Sequence, residues 1–254
     1  MFRLASILVF VAVSVVSAQT TLNDADVDIS DHPYVVSITR RGKHVCSGAI
    51  IDAYNIVTSD RCVPPFKHVW NIMNDIVVVS GTSSIKPGGG VRIFAKEMFS
   101  QNHQNHENPN ENHVSSGLGL IKLVQALKFG DKVQPIPISE AEVPVGEKLQ
   151  MVGWMISNHQ GNKTSNLKEV AVETISSEDC QSFYDKTLSN AEFCTLPVPE
   201  NNLCEGDSGS PLIYDGKLVG LATYGISCED ISIPDVHTAV NKNLEFLLGE
   251  KNIM

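Results

Sequence analysis

A serine in a glycine-rich segment is the side chain of this sequence best suited to covalent chemistry. Ser208 lies within Cys204–Leu212, which reads CEGDSGSPL. A serine hydroxyl attacks a carbonyl only when a neighbouring group accepts its proton, because the neutral hydroxyl is a weak nucleophile. The reactivity of Ser208 therefore depends on which residue serves as its base.

The serine segment resembles the nucleophile loop of the trypsin-like serine proteases, usually written C-x-G-D-S-G-G-P. The resemblance implies that Ser208 is the nucleophile and that the backbone N–H groups of Gly206 and Ser208 form the oxyanion hole. It covers nearly all of residues 30–250. General similarity, including the stretch YNIV at 54–57, points to the mite group-3 allergen branch, which includes the scabies mite inactivated protease paralogues.

The two residues with which that family activates its serine are both replaced here. The segment T-A-A-H-C, whose His is the general base, reads TSDRC and places Arg61 at the His position. The segment D-I-A-L-I-K-L, whose Asp orients the His, reads GLGLIKL and begins at Gly117. A guanidinium has no acceptor and stays protonated, so Arg61 cannot take a proton from Ser208. The vestigial triad predicts an inactive homologue, and a weak Ser208-dependent hydrolase with a base from elsewhere is the alternative.

The family's specificity pocket also looks altered. The pocket positions implied by the resemblance are Asn202, Thr223, Tyr224, Gly225 and Asp235. Asn202 stands where trypsins have the acidic residue that holds Lys or Arg. Asp235 replaces a glycine that lets the substrate side chain pass, and His237 is expected near the same floor. We expect an occluded pocket, with a specific small-ligand site as the alternative.

The activation machinery of the family is absent as well. Family proteases are cut after Arg or Lys, and the freed ammonium pairs with the acidic residue before the nucleophile, here Asp207. No Arg or Lys occurs between Arg3 and Arg40, so no tryptic activation site exists. In the family's precursors this acidic residue bonds instead to a His backed by a Ser, and the matching residues are His44 and Ser37. We expect a permanently precursor-like network.

Six cysteines in a secreted chain predict three disulfides, and arithmetic alone allows 15 pairings. The resemblance implies the pairs Cys46–Cys62, Cys180–Cys194 and Cys204–Cys228. One N-x-S/T sequon, at Asn162, is a candidate glycosylation site, and a sequon that carries no glycan is the alternative.

Residues 1–18 predict a signal peptide, with Arg3, an apolar run and a small-residue end; an uncleaved N-terminal anchor is the alternative. The remaining residues 19–254 would form one secreted, extracellular pseudoprotease domain. Removing the signal changes the formal charge from −10 to about −11. An acidic chain without a basic stripe argues against nucleic acid and anionic membranes as partners.

No cofactor or metal is expected. The polar stretch 100–116 contains His103, His106 and His113, but their spacing matches no rigid metal site, and a flexible loop is the preferred interpretation.

Short β-rich runs separated by turns rich in Gly, Asn, Pro and Asp predict an all-β fold. The runs include 34–39, 48–58, 75–80, 91–99, 120–123, 148–152, 168–174, 217–224 and 235–240, and only the tail 241–250 looks helical. The resemblance implies two six-stranded antiparallel barrels that meet near 125–145, with the helix docked on the first barrel.

These features favour a secreted inactive protease homologue that acts by binding other proteins, for example in host complement or another host proteolytic cascade. A cofactor or decoy in the organism's own immune protease cascade is the alternative binding role.

Overall fold

The computed structural model describes residues 26–63, 75–101, 117–154, 156–157, 162–163, 165–185, 187–198, 207–224 and 232–251. The predicted signal peptide lies outside these residues. Within them, no helix has the length and apolar character needed to cross a membrane.

The first half of the chain forms a closed antiparallel barrel. Its strands are β1 (Val35–Arg40), β2 (Lys43–Ile50), β3 (Asn55–Ser59), β4 (Ile76–Ser80), β5 (Val91–Ser100) and β6 (Leu118–Leu123). They are hydrogen-bonded in the order β1-β2-β3-β6-β5-β4. β-branched residues are the majority in β1, β3 and β4, and they pack well on a pleated surface. Ile38, Ile56, Val78, Ile93 and Ile121 fill the interior.

The second half forms a second closed barrel. Its strands are β7 (Lys148–Gly153), β10 (Lys168–Ile175), β11 (Glu192–Pro197), β12 (Pro211–Tyr214), β13 (Lys217–Tyr224) and β14 (Asp235–Ala239). They close in the order β10-β11-β14-β13-β12-β7. Two short strands, β8 (Ile156–Ser157) and β9 (Asn162–Lys163), form a separate antiparallel pair between β7 and β10. The predicted all-β fold with two six-stranded antiparallel barrels is confirmed.

A shared apolar cluster joins the two barrels. The first barrel contributes residues such as Val57 and Leu120, and the second contributes Leu218 and Leu221. The C-terminal helix α2 (Leu244–Lys251) adds Leu247 to the same cluster, so the helix packs where the barrels meet. Burying apolar area stabilises a fold by about 25 cal/mol per Å². Separating the barrels would expose this cluster, so its burial holds them together.

Two local predictions from the sequence are wrong. The run 48–58 is not one strand, because the Asp52 carboxylate accepts hydrogen bonds from the backbone N–H groups of Tyr54 and Asn55 and makes a turn between β2 and β3. The tail is not the only helix, because α1 (Ser177–Gln181) forms in the second barrel. Its first turn is capped by Ser176 Oγ, which accepts a hydrogen bond from the Asp179 backbone N–H at 3.0 Å.

Candidate active site

The segment that carries Ser208 is hydrogen-bonded to both barrels. Ser47 of β2 donates its backbone N–H to the Ser208 carbonyl at 3.0 Å. Gly209 donates its backbone N–H to the Ala222 carbonyl of β13 at 2.7 Å. Ser208 is therefore held at the cleft between the barrels by backbone contacts that involve no catalytic side chain.

Gly209 is required by this geometry. Its φ of +83° lies in the left-handed region, which residues with a Cβ rarely adopt. A Cβ at this position would overlap the Ser47 carbonyl oxygen and Thr58 Oγ1. The close approach of the Ser208 segment to the first barrel is possible only because residue 209 has no side chain.

Arg61 reaches across the cleft to the second barrel. It lies in a single 3₁₀ turn, Asp60–Cys62, directly after β3, and the Cys46–Cys62 disulfide ties this turn to β2. Arg61 Nη1 donates a hydrogen bond to the Thr223 carbonyl at 3.1 Å. The Ser208 hydroxyl donates to the same carbonyl at 3.3 Å. The guanidinium and the hydroxyl thus share one backbone acceptor, and neither accepts the other's proton.

Gly117 lies beside the turn that carries Arg61. The Gly117 carbonyl accepts a hydrogen bond from the Asp60 backbone N–H at 3.0 Å. Residue 117 therefore contacts the turn through its backbone, and it has no side chain that could orient a group at position 61.

Asp207, the residue before Ser208, forms a buried pair with His44. His44 Nε2 lies 2.7 Å from Asp207 Oδ2, and the two side chains are 4% and 6% exposed. Ser37 Oγ lies 2.8 Å from the other ring nitrogen, His44 Nδ1. The fully buried Trp154 packs against the His44 ring, with ring centroids 5.5 Å apart. The Asp207 carboxylate thus has a partner within the folded barrels.

At the described pocket positions, buried side chains form hydrogen bonds to other residues of the second barrel. Thr223 is buried, and its hydroxyl lies 2.7 Å from Thr238 Oγ1. Asp235 is half-buried at the start of β14. The burial of Tyr184 and, as a smaller effect, the negative charge of Asp235 raise the pKa of Tyr184 to about 12. His237 is fully buried, and its Nε2 lies 2.7 Å from Thr195 Oγ1. Burial lowers the pKa of His237 from 6.5 to about 3, so this imidazole is neutral at physiological pH.

Several predicted residues lie outside the described residues. These are Asn202, Cys204, Gly206, Gly225 and Cys228, together with the histidines of the polar loop. Tyr224 and Asn162 are described only as parts of strands. Of the three expected disulfides, Cys46–Cys62 and Cys180–Cys194 are formed in the structure. In the part of the chain that is described, no group of three His, Cys, Asp or Glu side chains is arranged to hold a metal ion.

Two contributors to the site were not found from the sequence. The Thr223 carbonyl, which both Arg61 and Ser208 contact, is a backbone group and leaves no residue signal. Trp154 follows β7 and covers His44 from the second barrel. A buried tryptophan near a histidine can be inferred only once the packing of the barrels is known.

Comparison with known proteins places this double barrel in one family. The family model described as trypsin matches residues 23–247. A trypsin from Phaedon cochleariae is 26% identical over 90% of this chain and 87% of its own length. Trypsin delta of Drosophila melanogaster is 28% identical over 84% of this chain and 81% of its own length. The chain therefore belongs to the trypsin family, as the motifs predicted.

Solved structures show the same fold. Mouse neuropsin, a serine protease, superposes with a TM-score of 0.77 at 22% sequence identity. The superposition covers 90% of this chain and 99% of the neuropsin chain. The scabies mite inactivated protease paralogue S-D1 superposes with a TM-score of 0.77 at 21% identity, covering 91% and 97%. At these identities the likeness shows the fold alone, so the narrower resemblance to the mite branch stays a prediction.

Replacing His44 by Ala should destabilise the fold strongly. The substitution leaves the Asp207 carboxylate buried without its hydrogen-bond partner, and breaking a buried pair of this kind costs about 3–5 kcal/mol. Lys43→Ala, at the exposed neighbour on the same strand, should change the free energy of unfolding by less than about 0.5 kcal/mol. Urea unfolding of the two variants measures the difference. A loss below about 1 kcal/mol for His44→Ala would mean that the pair is not needed for stability.

The buried His237 should make stability fall in acid. The unfolded chain binds a proton at this residue below about pH 6.5, whereas the folded chain does so only near pH 3. Stability is therefore lost as the pH falls through this interval, by up to about 1.4 kcal/mol per pH unit from this residue. His237→Gln, which does not titrate, should show a shallower slope in urea unfolding measured from pH 7 to pH 4. Equal slopes would contradict the neutral buried state.

Proposed function

We propose that this chain is a secreted, catalytically inactive member of the trypsin family that acts by binding other proteins. The observation that carries this proposal is the hydrogen bond from Arg61 to the Thr223 carbonyl, 3.1 Å long, in the cleft beside Ser208. A permanently protonated guanidinium occupies the position where the family has its general base.

The electrostatics of the cleft support the loss of proton transfer. Nucleophilic attack requires a group that accepts the Ser208 proton, and neutral imidazole does so near pH 7 because it has an acceptor nitrogen. Arg61 offers only donors. The Ser208 hydroxyl instead donates to the Thr223 carbonyl, which is not a base at this pH. Since Gly117 has no side chain, a base introduced at position 61 would also lack its orienting carboxylate.

The buried contact of Asp207 supports a precursor-like state. In active family members this carboxylate pairs with a new N-terminal ammonium, whereas here its Oδ2 lies 2.7 Å from His44. A newly formed N-terminus would have to displace His44, which is held on its other side by Ser37. The buried contact between His44 and Asp207 would therefore oppose activation by cleavage.

Protein binding is the function that a stable double barrel without catalysis can still perform. We propose that its partners are proteins of host proteolytic cascades, with complement as the first candidate, because the sequence resembles the mite branch. A cofactor or decoy in the organism's own immune protease cascade is the second binding role. A residual Ser208-dependent hydrolase is the enzyme-class alternative.

An activity-based probe tests the loss of catalysis. A fluorophosphonate should not label Ser208, because no base raises the nucleophilicity of its hydroxyl. The double variant Arg61→His, Gly117→Asp should also stay without protease activity, since the pair between Asp207 and His44 remains. Active trypsin serves as the positive control and Ser208→Ala as the negative one. Stoichiometric labelling of the wild-type chain at Ser208 would favour the hydrolase alternative.

A serum assay tests the partner class. The purified chain should reduce the complement-dependent lysis of erythrocytes by mammalian serum in a dose-dependent way. Ser208→Ala should reduce it equally well, because the proposed activity needs no nucleophile. The haemolytic titre of each sample measures the effect. If neither protein reduces haemolysis, complement is the wrong partner. If only the wild type does so, the activity is enzymatic.

A further inference from the structure

The pairing between β13 and β14 is irregular at the residue that both cleft donors contact. The register shifts between Ala222 and Tyr224, so Thr223 is skipped in the ladder with β14. A bulge of this kind leaves the backbone of the extra residue outside the regular pairing. The Thr223 carbonyl instead accepts hydrogen bonds from Arg61 Nη1 at 3.1 Å and from the Ser208 hydroxyl at 3.3 Å. Two donors, one from each barrel, therefore lie around one backbone oxygen.

The positive charge of Arg61 has no carboxylate partner among the described residues. Its hydrogen bond there is the contact from Nη1 to Thr223, and it takes part in no ion pair. The family's acidic residue at position 117 is replaced by Gly117, whose backbone contacts the turn that carries Arg61. The Arg61 side chain is exposed, and a guanidinium has five N–H donors. The donors that Thr223 does not use are available to an anion in the cleft.

The Ser208 hydroxyl is the second donor available to a ligand. Ser208 is half-buried, and its contact with the Thr223 carbonyl is longer than the about 2.7–2.8 Å usual for a hydroxyl donor. The hydroxyl proton can rotate away from this weak contact to a better acceptor. An anionic acceptor forms the stronger hydrogen bond. A carboxylate has two oxygens, so one such group can accept from the guanidinium and from the hydroxyl together.

The cleft suits the product of proteolysis better than the substrate. Ser208 stands where the family's nucleophile attacks a scissile carbonyl, and hydrolysis at that point leaves a C-terminal carboxylate. An uncleaved amide brings no negative charge to Arg61, whereas a carboxylate does. The described residues of the cleft thus offer a fixed cation beside Ser208 and no base that would take its proton.

We propose that the cleft binds the C-terminal carboxylate of peptide chains that other proteases have cut. One carboxylate oxygen accepts from the Arg61 guanidinium, and the other accepts from the Ser208 hydroxyl. The inference rests on the proposed function, because it takes the cleft to be a binding site without catalysis. It names the partner class of that site as newly formed chain ends.

NMR titration of the full mature chain with three tetrapeptides tests this site. Acetyl-tetra-alanine with a free carboxylate is compared with the same peptide as its C-terminal amide. We expect the acid to bind at least about fivefold more tightly and to shift the Nε–H resonance of Arg61. The third peptide, acetyl-Ala-Ala-Glu-Ala amide, carries its carboxylate on a side chain and should bind no better than the alanine amide.

Four variants locate the binding. Arg61→Gln removes the charge, and Gly117→Asp supplies a carboxylate that can pair with Arg61, so each should abolish the preference for the acid. Ser208→Ala should weaken binding of the acid but not of the amide. Arg92→Gln, the control, changes an exposed arginine on β5 and should leave both affinities unchanged.

The proposal is wrong if the acid binds no better than the amide, or if Arg61→Gln keeps the preference for the acid. Equal binding of the acid and the glutamate peptide would also contradict it, because the site would then take any carboxylate. Fluorophosphonate labelling separates these failures from failure of the proposed function. A chain that is not labelled at Ser208 and does not prefer the acid contradicts this inference alone.

Discussion

The buried pair between His44 and Asp207 links parts of the chain that are 163 positions apart. His44 belongs to β2 of the first barrel, and Asp207 precedes Ser208 in the second half of the chain. Because both side chains are almost fully excluded from water, removing either one leaves a buried polar atom of the other without its partner. The position of the Ser208 segment therefore depends on an interaction that is separate from the residues that would perform proteolysis.

Within the cleft, Arg61 and Ser208 take part in one set of hydrogen bonds to the backbone. Arg61 and Ser208 both donate to the Thr223 carbonyl, so two donors converge on an acceptor that cannot carry a proton away. The Thr223 side chain is itself engaged with Thr238 in the barrel interior. Such an arrangement holds the two sides of the cleft together, but it contains no group that changes protonation near neutral pH.

The fold and much of the candidate site could be predicted from the sequence because they depend on motifs with fixed spacing. The segments around Arg61, Gly117 and Ser208 and the cysteine positions define the double barrel. The cap of α1 also has a sequence signature, since Ser176 and Asp179 have the spacing of a helix start. Burial could not be read in this way. Glu192 looks like an ordinary surface glutamate until the barrel closes around it, and a backbone carbonyl such as that of Thr223 has no sequence signature.

The backbone of the Ser208 segment bonds to β2 on one side and to β13 on the other, and the apolar cluster beneath it draws side chains from both barrels. An opening of the cleft would break those hydrogen bonds and hydrate that cluster at the same time. We therefore expect the two barrels to unfold as one cooperative unit, in a single transition and with slow amide exchange at the cleft. Most substitutions in the cleft would then destabilise the fold, whether or not the cleft turns over a substrate. The requirement for stability alone is therefore enough to preserve the shape of the cleft.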